Sequence, residues 1–95
     1  MHIISHKKIV QALLAWPSCS DALDGWYRIM KRAEPQNASE LKAVFPSVDK
    51  VGDVYVFNIS GHRLRLIASV RYRVQRVYIL EILSHKEYDK DRWKK

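Results

Sequence analysis

The chain contains a single cysteine, Cys19, so no internal disulfide can staple the fold, and the residue reads as a small buried side chain of a cytoplasmic protein. It also has no apolar run near the roughly 18 residues that cross a bilayer, which leaves no transmembrane helix to assign and no membrane-embedded partner to expect. The opening MHIISHKK lacks an apolar core and a small-residue cleavage site, which argues against a secretory leader. Glycines and prolines number three each, with no Gly-rich phosphate loop and no Walker pattern among them. No Cys/His set has zinc spacing and no Asp/Glu cluster suggests magnesium, so neither a metal site nor another cofactor is expected. Internal repeats, low-complexity segments and linkers are missing too. The 95 residues therefore read as one domain, 1–95, with a modest core.

Positive charge is abundant. Seventeen Lys and Arg stand against ten Asp and Glu, a formal charge of +7 on a short chain. Such an excess favours polyanions: RNA, DNA or the ribosome first, an acidic protein or a membrane surface next. The plainer alternative is a generic basic surface. A hydrophobic fraction of 47% and an aromatic fraction of 11% place the chain among folded globular proteins.

The first half carries helical periodicity. Met1 to Ile4 reads as a short strand. Ser5 is a candidate cap for a helix in which Ile9, Val10, Leu13 and Leu14 recur at helical spacing, broken by Pro17. Ser18 and Asp21 introduce a second helix with an apolar stripe through Leu23, Trp26, Ile29, Met30 and Ala33. Ser39 opens a short turn of helix carrying Leu41 and Lys42, closed by Phe45-Pro46, and residues 47–53 read as a polar connection. The second half changes period. VYVFNI (Val54 to Ile59) is a strand, followed by a Ser60-Gly61-His62 turn. RLRLIASVRY alternates, with Arg63, Arg65, Ile67, Ser69 and Arg71 on one face and Leu64, Leu66, Ala68, Val70 and Tyr72 on the other. After a turn at Arg73 to Gln75, Arg76 to Leu83 is apolar on both faces except Glu81, as a well-covered strand would be. The order β-α-α-β-β-β, with a short C-terminal helix, describes an α+β fold: two N-terminal helices packed on a small antiparallel sheet.

The last strand stops abruptly at Ser84-His85-Lys86-Glu87, an S-x-x-E capping box that starts a helix carrying Tyr88, Asp89, Arg92 and Trp93. His85 and Lys86 fall in its first turn, where free N–H groups favour an anion and the dipole favours a neutral imidazole. An ordinary capped helix with a solvated face is the competing reading. Arg65 sits between Leu64 and Leu66, and a charge there needs either an acid, with Glu81 the nearest choice, or a phosphate. Arg63, Arg71, Arg73 and Arg76 add charge to the same meander, and Lys90, Lys94 and Lys95 extend it. Such a groove suits an RNA backbone, with Tyr72, Tyr78 or Tyr88 able to stack a base; for Tyr72 and Tyr78 core packing is the better reading. Phosphoryl chemistry without metal is open to RNA through attack of its own 2′-OH on the adjacent phosphate. That route needs a base, an acid and cations on the phosphate oxygens.

Three stretches, VFNISGHRLRLI, VYILEILSHKEYDK and ELKAVFPSVDKVGDVYVFN, resemble the HigB family of bacterial toxins, small RelE-like mRNA interferases of type II toxin–antitoxin systems. The resemblance runs nearly the whole chain, and its specific parts are the S/T-H-x-E-Y-D-K ending and the N-x-x-G-x-x-x-R-L-I block. It implies a RelE-like fold and an endoribonuclease that cuts mRNA, usually during translation on the ribosome. It also implies a HigA-type helix-turn-helix antitoxin, with promoter DNA bound only through the toxin–antitoxin complex. The family's motif residues fall here on Asn58, Arg65, His85, Tyr88 and Lys42. Arg65 would meet phosphate and transition-state charge, His85 would act as acid or base, and Tyr88 would take the complementary proton role or stack a base. Lys42 and Lys86 would hold the backbone, with Asn58, Arg63, Arg71, Arg73, Arg76 and Lys90 as further RNA contacts.

The chain departs from the family pattern in two places. Leu64 stands where relatives often have an aromatic residue before the R-L-I arginine, and Leu80 where many have an arginine after V-Y-I. If that arginine holds RNA in relatives, a neighbour such as Arg76 must substitute. A non-catalytic RNA- or ribosome-binding module on the same scaffold is the alternative function, and a basic protein serving an acidic partner is a third.

Overall fold

The alternation in the second half of the chain builds a five-stranded sheet, and the helical stripes of the first half cover one face of it. The computed structural model describes residues 1–61 and 63–90. The sequence readings for His62, Arg92, Trp93, Lys94 and Lys95 lie outside the described residues. In chain order the elements are β1 (His2–Ile4), α1 (His6–Ala15), a 3-10 turn (Pro17–Cys19), α2 (Ser20–Arg32), α3 (Ala38–Val44), β2 (Asp49–Val51), β3 (Val54–Ile59), β4 (Leu64–Arg71), β5 (Arg76–Ser84) and α4 (His85–Asp89). The sheet order is β1-β5-β4-β3-β2. The pairs β2–β3, β3–β4 and β4–β5 are antiparallel, whereas β1 runs parallel to β5. The fold is thus α+β with helices on a mostly antiparallel sheet, as expected, with one parallel pair that periodicity does not reveal.

The core lies between this sheet and the helices. Leu64, Leu66, Ala68 and Val70 of β4 point into it with Tyr55, Phe57 and Ile59 of β3 and Val77, Ile79 and Ile82 of β5. From the helices come Ile9 and Ala12, then Leu23, Trp26 and Met30, then Leu41. Trp26, Phe45 and Phe57 meet in tilted and edge-on contacts with centroids 5.2–6.3 Å apart, a geometry that suits aromatic quadrupoles. Cys19 is buried, as read from the sequence. Among the described residues no helix is long and apolar enough to cross a membrane.

Several local readings are corrected. Ser5 is in the left-handed region at φ 76° and makes no side-chain cap bond. The wedge Pro17–Cys19 forms its own 3-10 turn, so α2 starts at Ser20. Asn37, not Ser39, caps α3, accepting from the Glu40 amide. The stretch read as a polar connection contains β2, which forms a tight hairpin with β3 around Gly52 at φ 61°. On α1 the buried stripe is Ile9 and Ala12, while Val10 and Leu14 stay exposed.

One irregularity shapes the outer face of the sheet. Ile67 pairs with Glu81 but Ala68 pairs with Ile79, so β5 carries one extra residue, Leu80. A bulge of this kind re-aims side chains, and Leu80 is 42% exposed although Ile79 beside it is buried. Tyr72 donates its hydroxyl to that of Tyr55 at 2.9 Å. Burial, then that hydrogen bond and the charge of Tyr55, push the Tyr72 phenol well above its ordinary value.

Core geometry sets a measurable contrast. Leu66 is 0% exposed at the centre of β4 and Leu14 is 79% exposed on α1. Leu66→Ala is expected to destabilise by about 2–5 kcal/mol in urea unfolding, and Leu14→Ala to stay within about 0.5 kcal/mol of the parent.

Candidate active site

Strand alternation forces Arg65 onto the face opposite the core, because Leu64 and Leu66 on either side occupy it. There Arg65 is only 7% exposed, the one buried charged residue among those described. Asn58 of β3 stands directly across from it and Leu83 of β5 on its other flank. Burying a guanidinium is costly unless its donors and charge are met. Its Nη1 donates to the Leu64 carbonyl at 3.3 Å, its Nη2 meets His85 Nδ1 at 3.2 Å, and its carbon stands 5.5 Å from the Tyr88 ring centroid. A cation over a phenol face is favourable in the same sense. Glu81, the acidic neighbour considered from sequence, instead reaches Lys8 of α1 at 4.0 Å.

His85 and Tyr88 arrive there because β5 ends where β4 begins. Ser84 pairs with Leu64, and the His85 amide donates to the Arg63 carbonyl at 3.0 Å, extending the ladder by one bond. The capping box then turns the chain. Glu87 N–H donates to Ser84 Oγ at 3.2 Å and Ser84 N–H to Glu87 Oε1 at 3.1 Å. Starting α4 at that point places His85 and Tyr88, three apart, on one helical face above Arg65.

The imidazole is engaged at both nitrogens. An arginine can only donate, so Nδ1 facing it must present a lone pair. The proton then belongs on Nε2, which stands 3.3 Å from Asp89 Oδ2. This assignment follows from the hydrogen-bond network. Asp89 received no role from sequence reasoning; its i,i+4 relation to His85 is the signal that marks it.

The remaining sequence candidates divide by position. Arg63 flanks the cluster from the β3–β4 turn, with Nη1 3.4 Å from Ser18 Oγ. Lys86 and Lys90 are exposed on and just after α4. Lys42 is on α3, where its Nζ donates to the Val48 carbonyl at 2.8 Å and closes the loop between α3 and β2. Arg71, Arg73 and Arg76 are at the far end of the β4–β5 hairpin, six residues along β4 from Arg65, or roughly 20 Å at the rise of an extended strand. Arginines that are close in sequence thus occupy opposite ends of one sheet face.

Comparison with known proteins gives a consistent match. Residues 19–91 match the family model described as HigB_toxin, RelE-like toxic component of a toxin-antitoxin system. The chain is similar to a protein of Escherichia coli (strain K12) named mRNA interferase toxin HigB, 36% identical over 92 residues, covering 94% of this chain and 88% of that one. An mRNA interferase HigB of Shigella flexneri matches to the same extent. Another, from Escherichia coli O6:H1, is 31% identical over 93 residues, covering 95% and 90% of the two chains.

Since the cap positions the helix that carries the imidazole, Ser84→Ala should remove about 1 kcal/mol from α4. Hydrogen exchange would register this as faster exchange at the Glu87 amide, with the β3 and β4 amides unchanged.

Proposed function

This chain belongs to the HigB family of RelE-like toxins of toxin–antitoxin systems, and from that membership and its site geometry we infer that it cleaves mRNA at Arg65, His85 and Tyr88. One observation carries the reading: a buried arginine in contact with an imidazole nitrogen and a tyrosine face. A cation beside two groups that carry protons is what in-line attack of a 2′-OH on its neighbouring phosphate requires.

In the proposed reaction the scissile phosphate takes hydrogen bonds from the Arg65 guanidinium, which spans two oxygens of a phosphate in a way lysine cannot. As those donors turn to the phosphate, His85 Nδ1 is released from Arg65 and its lone pair accepts the 2′-OH proton. The 2′-oxygen bonds to phosphorus and the 5′-oxygen leaves. Tyr88 supplies the leaving oxygen with a proton or holds an adjacent base against its ring. Asp89 keeps the Nε2–H directed and stabilises the imidazolium that forms. Asn58, Arg63, Lys86 and Lys90 flank the path of the backbone, whereas Lys42 would have to release the Val48 carbonyl to reach it.

The same reading puts the protein in the cytoplasm with translated mRNA, and the +7 charge suits a ribosomal surface as well as the message. Its antitoxin would be of the HigA helix-turn-helix type, and the complex rather than the toxin would meet promoter DNA.

Primer extension on mRNA translated in a purified system, with and without ribosomes, tests this function. Wild type should cut within codons when ribosomes are present. His85→Ala should lower the rate by about 10²–10⁴, and Arg65→Ala should abolish detectable cutting while the protein still folds by circular dichroism. Cutting of free RNA would retain the enzyme and remove the ribosome from the mechanism. RNA binding with no cutting by wild type would replace it with the binding-module reading.

A further inference from the structure

The outer face of the sheet does not end at Arg65. Arg65, Ile67, Ser69 and Arg71 follow one another on the same side of β4, leading to a groove of about 810 Å³ at the hairpin end. Tyr78, Leu80 and Val74 supply its apolar lining, and Arg71 and Arg73 its cationic lining. It shares Leu80 and Arg71 with a second hollow of about 510 Å³ that reaches Lys50.

Two features of this end carry no structural benefit of their own. The bulge turns Leu80 outward, 42% exposed, and Val74 in the turn is 55% exposed. Arg71 and Arg76 stand directly opposite each other across the strands, with Arg73 in the turn between them. Like charges in that relation destabilise a sheet, and a bound anion would relieve the repulsion. An apolar groove edged by arginines, on the same sheet face as a site proposed to hold a phosphate, suits a nucleotide: a base on the floor and phosphates on the rim.

We propose that this groove is a second RNA subsite, which holds a base of the same single-stranded message against Tyr78 and Leu80, with its phosphates on Arg71, Arg73 and Arg76, a few nucleotides from the one cut at Arg65. Tyr78 is the stacking ring, since Tyr72 packs against the core and edge-on against Tyr55. The leucine at the bulge makes the floor apolar, and the cations sit on the rim.

The inference rests on the mRNA-cleaving reading, and its test separates the two. In full-length protein carrying His85→Ala, which slows cutting enough for binding to be read, affinity is measured for oligo(A) and oligo(U) of roughly 4–16 nucleotides, the span that small single-strand grooves engage. Affinity should step up once the RNA is long enough to reach the hairpin. Leu80→Ser and Tyr78→Leu should each flatten that step, weakening the longer RNAs about five- to tenfold, the scale of one lost base stack. Leu80 is exposed and Tyr78 is only half-buried, with leucine keeping an apolar side chain there, so both variants are expected to fold. A step that persists in both variants, or no step in the starting protein, overturns the subsite while wild-type cutting of translated mRNA leaves the main reading standing. Unchanged RNA affinity with weaker binding of the cognate antitoxin would overturn it too, and make the groove a protein surface. Failure of wild type to cut mRNA would instead remove the reading beneath it.

Discussion

A guanidinium inside a strand of leucines is the constraint around which the outer face is arranged. Arg65 cannot be left unmet at 7% exposure, and the fold meets it with a carbonyl, an imidazole nitrogen and a phenol face. None of these three carries a full negative charge. Glu81, the acidic residue considered from sequence, reaches Lys8 of α1 instead. The contacts to the imidazole and the phenol also tie α4 to β4 at the arginine, so the burial of one cation fixes where the proton-carrying groups stand.

Strand β5 organises both ends of this face. At its C-terminal end the capping box converts strand to helix within one residue and sets His85 and Tyr88 over Arg65. Midway, the extra residue Leu80 breaks the alternation and opens the apolar floor of the groove. Helix α4 has only five residues, far too few to be stable alone. Its position rests on the Ser84–Glu87 exchange and on contacts to β4 and β5. Elements of this kind belong to the low-stability end of a protein, which suits the release of Arg65 that the proposed reaction asks of His85.

Much of this was legible in the sequence because it is local. The alternation of β4 assigned Leu64, Leu66, Ala68 and Val70 to one face and Arg65 to the other. S-x-x-E marked the start of α4, and the stripe through Leu23, Trp26, Ile29, Met30 and Ala33 marked α2, although Ile29 is 50% exposed and Ala33 follows the helix end. Other features arise from pairing. The three residues of β2 are polar at two positions, and their strand identity comes from β3; Gly52-Asp53 between two valines was the hairpin signal. The parallel placement of β1 against β5 depends on residues more than seventy apart. In the site, the arginines were grouped by nearness along the chain, whereas an extended strand separates Arg65 from Arg71 by its whole length. Asp89 was read as a charged helical residue, and only the orientation of the His85 ring gives it a partner.

Relatives with an arginine at the position of Leu80 would carry a cation in the middle of the face, between the two ends described above. Here that position is apolar and exposed, and the opposed Arg71 and Arg76 are at the hairpin. Replacing a central cation by leucine removes one phosphate contact but creates a surface on which a base gains by leaving water. Moving the charge outward also lengthens the track an RNA must follow to use it. In the proposed subsite, that position would offer a face to a base where an arginine would offer a charge to the backbone. The strand that delivers the imidazole carries that change seven residues before Glu87 closes the cap.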